Sequence, residues 1–239
     1  MKPIAVAVLC KTPAAGKSKT RLSPPLRPEE CAAISACFIR DLAQTIQSLV
    51  DDGDAGACAV YTPAGSEDDL RRLLPRGFQL TLQSEGDLGK RLLKGTADLL
   101  EQGFAGAILI NSDSPTLPKS ILRAAVDAVR LGDNVVLSPA FDGGYTLIGL
   151  SQPHARLFED MPWSTSEVYR LTVQRAGEIG LPVVNVPGWY DVDDAASFAM
   201  LQDELNGIPP SFAAPDLIGA SAPATFQFIS ERHNALLRV

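Results

Sequence analysis

The sequence predicts an α/β domain with a mostly parallel sheet, on three observations. Short apolar runs such as Ile4–Cys10 and Ala107–Ile110 have the length of strands buried on both faces. Segments with apolar residues at helical spacing separate such runs, and the alternation persists over about 200 residues. Polar clusters, Asn111-Ser112-Asp113 among them, fall at strand ends, and ligands of such sheets bind beyond the carboxyl ends of strands.

Ile4–Cys10 leads into a cationic loop, and Pro28-Glu29-Glu30 then starts a helix, with proline in the first turn and acids facing the helix dipole. Ile34, Cys37, Phe38, Leu42, Ile46 and Leu49 form its apolar face. Ala57–Tyr61 reads as the second strand, followed by a short acidic helix over 66–74, a strand near Phe78–Leu82 and a helix from about Leu88 to Gln102. After Ala107–Ile110, Pro118 opens a helix with Ile121, Leu122, Ala125, Val126 and Val129 on one face. Strands at Val135–Leu137 and Tyr145–Leu150 come next. Ser164-Thr165-Ser166-Glu167 matches a capping box and predicts a helix through about Ile179. Val183–Val186 is the last strand, and Asp191-Val192-Asp193 precedes a helix to about Leu205. Residues 1–206 thus read as one domain. Residues 207–239 break the alternation with four prolines and Phe212, Phe226 and Phe228. They read as an arm, packed on the domain or on a second copy in a homodimer, or else as a frayed tail.

With 239 residues, 46% of them apolar, the chain is long enough for a sizeable core. No apolar run approaches the roughly 18–20 residues of a membrane span, and the run after Met1-Lys2-Pro3 is too brief for a secretory signal, so a cytoplasmic location is expected. Cys10, Cys31, Cys37 and Cys58 lie in apolar contexts with no close pair and read as buried thiols, so metal chemistry here would be oxygen-based. The net charge of −7 argues against a nucleic-acid partner. Its distribution is uneven, because residues 1–28 hold six cations and no acid, which leaves −13 on the remainder. A cationic entry segment on an acidic chain is either a candidate anion site or a solvated loop.

Four segments carry candidate chemistry. Lys11-Thr-Pro-Ala-Ala-Gly16-Lys17-Ser-Lys19-Thr-Arg21 follows the first strand and partly matches a phosphate-binding P-loop. Lys11 stands where that motif needs its first glycine, and Pro24-Pro25 would break the helix it requires. The remaining reading is a loop whose amides and cations grip phosphates, with Gly16 permitting close approach. Asp113 is either a turn residue or a ligand for a hard cation, which needs only one or two carboxylates beside substrate phosphates and water. Asp191 and Asp193 lie two apart, so extended backbone points them the same way; with Asp113 they would complete a metal site, although a helix cap also explains one aspartate there. Asp142-Gly143-Gly144-Tyr145 is a hairpin signal or a place where substrate approaches the backbone, with Asp142 as base or hydroxyl anchor. Asp87 and Arg91 sit at a helix start, as phosphate ligands or as a cap and its neighbour. Trp163 and Trp189 read as packing residues or as a sugar platform.

Taken in order, Lys11-x-Pro13-x-x-Gly16-x-x-Lys19-Thr20-Arg21-Leu22, Gly86-Asp87-Leu88-Gly89-x-Arg91, Ser112-Asp113-Ser114-Pro115, Asp142-Gly143-Gly144-Tyr145, Pro162-Trp163-Ser164-Thr165 and Trp189-Tyr190-Asp191-Val192-Asp193 resemble the bacterial DUF2064 family. That family is classed with GT-A-like glycosyltransferases and is related to nucleotide-diphospho-sugar transferases. The likeness covers about residues 3–205. It implies a GT-A-like three-layer α/β/α domain with a mostly parallel mixed sheet, a nucleotide ligand and a divalent cation, Mg²⁺ or Mn²⁺. Position by position, it implies metal ligation by Asp113 and Asp193. It also implies that Lys11, Lys19 and Arg21 face phosphate, and the segments themselves add Gly16, Lys17, Asp87 and Arg91 as nucleotide or phosphate contacts. Gly143, Gly144, Tyr145 and Trp163 would lie on the acceptor side near Asp142. The Arg-Met and Pro-Lys signature of related nucleotidyltransferases is absent, and Asp194-Ala195-Ala196-Ser197 replaces the Thr-Pro-Glu-Asp that often follows the second acid.

The leading expectation is metal-dependent glycosyl transfer from a nucleotide sugar to a small-molecule acceptor, with Asp142 as base and Lys19 and Arg21 stabilising the leaving diphosphate. Nucleotidyl transfer from a nucleoside triphosphate to a phosphorylated acceptor, and a noncatalytic nucleotide-binding module, are the alternatives.

Overall fold

Successive side chains of β1 (Ile4–Lys11) enter two different cores, as the twofold period of a strand requires. Ile4, Val6 and Val8 pack with Phe38 and Leu42 of α1 (Pro28–Asp51), whereas Ala5 and Ala7 pack with Leu92 and Leu99 of α3 (Leu88–Glu101). The computed structural model describes residues 2–53 and 55–237. In chain order the other elements are β2 (Ala55–Thr62), α2 (Glu67–Arg71), β3 (Gln79–Leu82), β4 (Gly106–Asn111), α4 (Lys119–Arg130), β5 (Val135–Pro139), β6 (Tyr145–Leu150), α5 (Val168–Glu178), β7 (Val183–Asn185), α6 (Ala195–Leu205) and α7 (Pro223–Leu236).

The seven strands form one sheet in the order β3-β2-β1-β4-β6-β5-β7. β6 runs antiparallel to β4 and β5, and the other pairings are parallel. From β1 the chain winds outward through β2 and β3, then returns to place β4 on the other side of β1. The order reverses there, so a crevice opens beyond the carboxyl ends of β1 and β4, between the loops that begin at Thr12 and Ser112.

Two expectations change. The helix expected from Ser164 begins instead at Val168, and Ser164 has φ 64, outside helical geometry. The serine of the presumed capping box does not cap; Thr165 Oγ1 donates to Pro162 O at 2.7 Å, and the segment packs against the Gly143 loop. The C-terminal arm ends in a further helix, α7, which packs on α1. Asp41 of α1, 1% exposed, accepts hydrogen bonds from Ala224 N at 3.0 Å, Thr225 N at 2.8 Å and Thr225 Oγ1 at 2.6 Å. A carboxylate from another helix thus satisfies the free donors at the α7 N-terminus. No helix of the described residues is long and apolar enough to cross a membrane.

Candidate functional site

The loop after β1 is tied down at both ends. Thr12 N continues the β1–β2 pairing through Thr62 O at 2.8 Å, and fully buried Leu22 and nearly buried Leu26 anchor the far end in the core. Between them, Lys17 N donates to Ala14 O at 3.0 Å and Ala14 N to Ser18 Oγ at 3.1 Å, with Gly16 at φ 69. A Cβ at Gly16 would meet nothing within 4 Å, so this glycine serves the turn's conformation and relieves no crowding. Lys19 has φ 48 and ψ 41, a left-handed conformation that costs a residue with a Cβ about 1 kcal/mol.

That strained residue sends its side chain inward. Lys19 Nζ lies 2.7 Å from Asp113 Oδ1, 2.9 Å from Asp193 Oδ1 and 2.7 Å from Val192 O, with the Phe38 ring centroid 5.7 Å away. Its side chain is 6% exposed, against 32% for Asp113 and 43% for Asp193. Burial alone would push the lysine pKa down; Asp113 and Asp193 more than offset it, so the pKa stands above the ordinary value and the ammonium stays charged.

Each carboxylate is aimed by its own turn. Asn111 Oδ1, at the end of β4, accepts from Asp113 N at 3.0 Å and Ser114 Oγ at 3.1 Å, closing the polar turn that projects Asp113. Val192 N donates to Asp113 O at 2.9 Å, so the 189–193 segment is bonded to the β4 loop. The cap of α6 belongs to Asp194, whose Oδ1 accepts from Ser197 N at 2.8 Å, leaving Asp193 to face Lys19. Ala195-Ala196-Ser197 therefore supplies the first turn of α6, with Ser197 closing the cap.

A polar cleft of about 260 Å³ stands over this cluster, lined by Lys11, Lys17, Lys19, Arg21, Asp113 and Asp193 among others. A larger, mainly apolar cavity of about 630 Å³ lies under the C-terminal arm, lined by Pro210, Leu217, Ile218 and Glu204, with no Lys or Arg among its described lining residues. Of these two cavities, only the smaller presents cationic side chains to an anion. Asp113 and Asp193 supply the hard oxygen donors that Mg²⁺ or Mn²⁺ takes, in the one- or two-carboxylate number typical of phosphate-bridged sites. Among the described residues no three acidic, His or Cys side chains converge on one point, so the three-carboxylate arrangement with Asp191 is not formed. Burial together with Asp193, Asp142 and Asp113 pushes the Asp191 carboxyl up to about 6. Burial, with Asp113 adding to it, pushes the Cys10 thiol up to about 12, so it is a protonated packing group.

The remaining candidates fall outside this cleft. Asp87 caps α3 through Lys90 N at 2.9 Å, and Arg91 Nε donates to Asp87 O at 3.3 Å. Asp142 Oδ1 accepts from Gly144 N at 2.8 Å, which shapes the glycine turn and leaves Oδ2 available. Trp163 packs against Gly89, where a Cβ would lie 2.9 Å from the indole, and its Nε1 is buried without a protein partner. The Tyr145 hydroxyl is likewise buried, and burial raises its pKa. Gly143 is required sterically, with φ 90 and a would-be Cβ 2.3 Å from Ser166 O. Gly143→Ala is expected to cost about 2 kcal/mol of stability, measured by urea unfolding, because it combines left-handed strain with a backbone clash.

Residues 45–165 match the family described as an uncharacterized protein conserved in bacteria, DUF2064. The chain belongs to that family. The match contains Asp87, Asp113, Asp142 and Trp163, and stops short of both the Lys19 loop and Asp193. A provisionally named nucleotide-diphospho-sugar transferase from Desulfovibrio desulfuricans is similar along the full length: 26% identity, 100% of this chain and 98% of that one covered, TM-score 0.82. CMP:2-keto-3-deoxy-manno-octonic acid synthetase complexed with CTP shares the fold at 10% identity and TM-score 0.54, over 84% of this chain and 99% of that one. Among curated proteins, one provisionally named protein-lysine deacylase ABHD14B, from Pongo abelii, is 29% identical over 120 residues, 50% of this chain and 55% of that one. The chain thus spans about half the length of that curated relative.

Proposed function

We propose that the protein is a metal-dependent glycosyltransferase using a nucleotide-sugar donor. The observation that carries this reading is the cleft at the β1–β4 reversal, where Lys11, Lys17 and Arg21 surround the Lys19–Asp113–Asp193 cluster. The full-length similarity to a provisionally named nucleotide-diphospho-sugar transferase supports it. Exposed Lys11, Lys17 and Arg21 would hold the two phosphates and offset the charge that grows on the leaving diphosphate. Asp113 and Asp193 would hold Mg²⁺ or Mn²⁺, which when bound supplies Lewis-acid stabilisation of those phosphate oxygens. Asp142, with one oxygen fixed by Gly144 N, would take the proton of an acceptor hydroxyl through the other. Gly143, Gly144, Tyr145 and Trp163 would form the acceptor side, with Asp87 and Arg91 holding the turn that faces the nucleotide.

Release of a nucleoside diphosphate from a nucleotide-sugar panel, with Mn²⁺ and small hydroxyl acceptors, is the expected result. Release of pyrophosphate from a triphosphate panel would select nucleotidyl transfer instead, the reading favoured by the fold shared with the CTP-bound synthetase. Tight nucleotide binding with neither product would select a noncatalytic binding module.

A further inference from the structure

The Lys19 ammonium stands where two carboxylates would receive a divalent ion. All three of its N–H donors have an oxygen within 2.9 Å: Asp113 Oδ1, Asp193 Oδ1 and Val192 O. The side chain is 6% exposed, so water competes little for those contacts. A divalent ion bound to the same oxygens would crowd a like charge in a poorly hydrated space, and the two cations cannot share them. Lys19 is anchored in the cationic loop beside Lys11, Lys17 and Arg21, and a lysine ammonium is a point charge on a flexible four-carbon stem.

We propose that Lys19 is the resident cation of the two-aspartate site and competes with the divalent ion for it. The ion enters when nucleotide phosphates draw the ammonium into the cleft, so cation and nucleotide bind as a coupled pair. The coupling rests on the transferase reading above; the competition does not. The exchange improves the charge balance, because a single ammonium leaves the two carboxylates one charge short and a divalent ion matches them. Before it, one ammonium serves two carboxylates; after it, the ion serves the carboxylates and the ammonium serves phosphate. The left-handed backbone at Lys19 fits this role, because strain at one residue is retained to hold the side chain in the site.

The test measures Mn²⁺ binding to the full chain without nucleotide, from loss of the free-ion electron paramagnetic resonance signal. Lys19→Met keeps the length of the side chain and removes the charge. It is expected to bind Mn²⁺ at least about tenfold more tightly than the wild type, because the freed carboxylates need a counter-charge. Should Lys19→Met fold less stably for the same reason, Mn²⁺ should raise its Tm more than that of the wild type. Adding Asp113→Asn to Lys19→Met should abolish both gains. Equal Mn²⁺ affinity and equal Mn²⁺-induced Tm shifts in wild type and Lys19→Met would overturn the proposal, and if nucleotide still bound with Mn²⁺ the transferase reading would survive. A gain in Lys19→Met while the wild type binds no nucleotide would keep Lys19 as resident cation and remove the transferase reading.

Discussion

Asp113→Ala is expected to remove the Mn²⁺-dependent part of nucleotide affinity and to lower kcat/KM by about 100-fold or more, the loss typical of deleting one preorganised electrostatic group. Asp113 is the acid of the loop after β4, at the point where strand order reverses, and its turn is set by Asn111. Asp113→Asn keeps the shape and loses the charge, so a similar loss in that variant would assign the effect to charge. The fold should survive both substitutions. Lys19 retains Asp193 and Val192 O, and Asp113 is 32% exposed, so water takes up part of the lost pairing and the destabilisation should stay near 1–2 kcal/mol. Titration calorimetry with and without Mn²⁺ measures the first effect, and urea unfolding the second.

Asp41→Ala is expected to be the most destabilising of these substitutions, by about 3 kcal/mol in urea unfolding, because it strands several buried donors at once. Two backbone N–H groups at the start of α7 and the hydroxyl of fully buried Thr225 depend on this one side chain. Thr225→Val leaves the backbone donors paired and should cost about 1 kcal/mol. Equal stability of Asp41→Ala and the wild type would mean that α7 is held by its apolar contacts alone.

The same interaction explains what was illegible in the sequence. The strands and first helices were legible because their patterns are local: Ile4–Cys10 is apolar throughout, and the face of α1 repeats at helical spacing. The cap of α7 comes from a residue 183 positions away, so residues 207–239 show no capping residue and read as an arm or a tail. The converse holds at Ser164–Glu167, where a local capping pattern is present but the segment packs against the Gly143 loop and the helix starts at Val168.

At the site, residue types were legible and their partners were not. Asp113, Asp193 and Lys19 stand out as an acid at each of two strand ends and a cation after a third, but sequence assigns the acids to a metal and the lysine to phosphate. Only the fold shows the three on a single nitrogen, with segments from residues 19, 113 and 192–193 joined there. Likewise, the Asp191-Val-Asp-Asp run offers three aspartates for one helix cap, and the hydrogen bond to Ser197 N assigns that cap to Asp194.

In the proposed function, the cleft over Lys19, Asp113 and Asp193 binds a nucleotide phosphate group together with a divalent cation. A thermal-shift screen of the full chain against nucleoside diphosphates, triphosphates and nucleotide sugars, with and without Mn²⁺, tests it most directly. At a ligand concentration near 100 times Kd, the stabilisation of about 2.7 kcal/mol corresponds to a Tm rise of roughly 5–10 °C for a chain of this size, and the account predicts that rise only when nucleotide and Mn²⁺ are present together. No shift with any nucleotide, or the same shift with and without Mn²⁺, would contradict it.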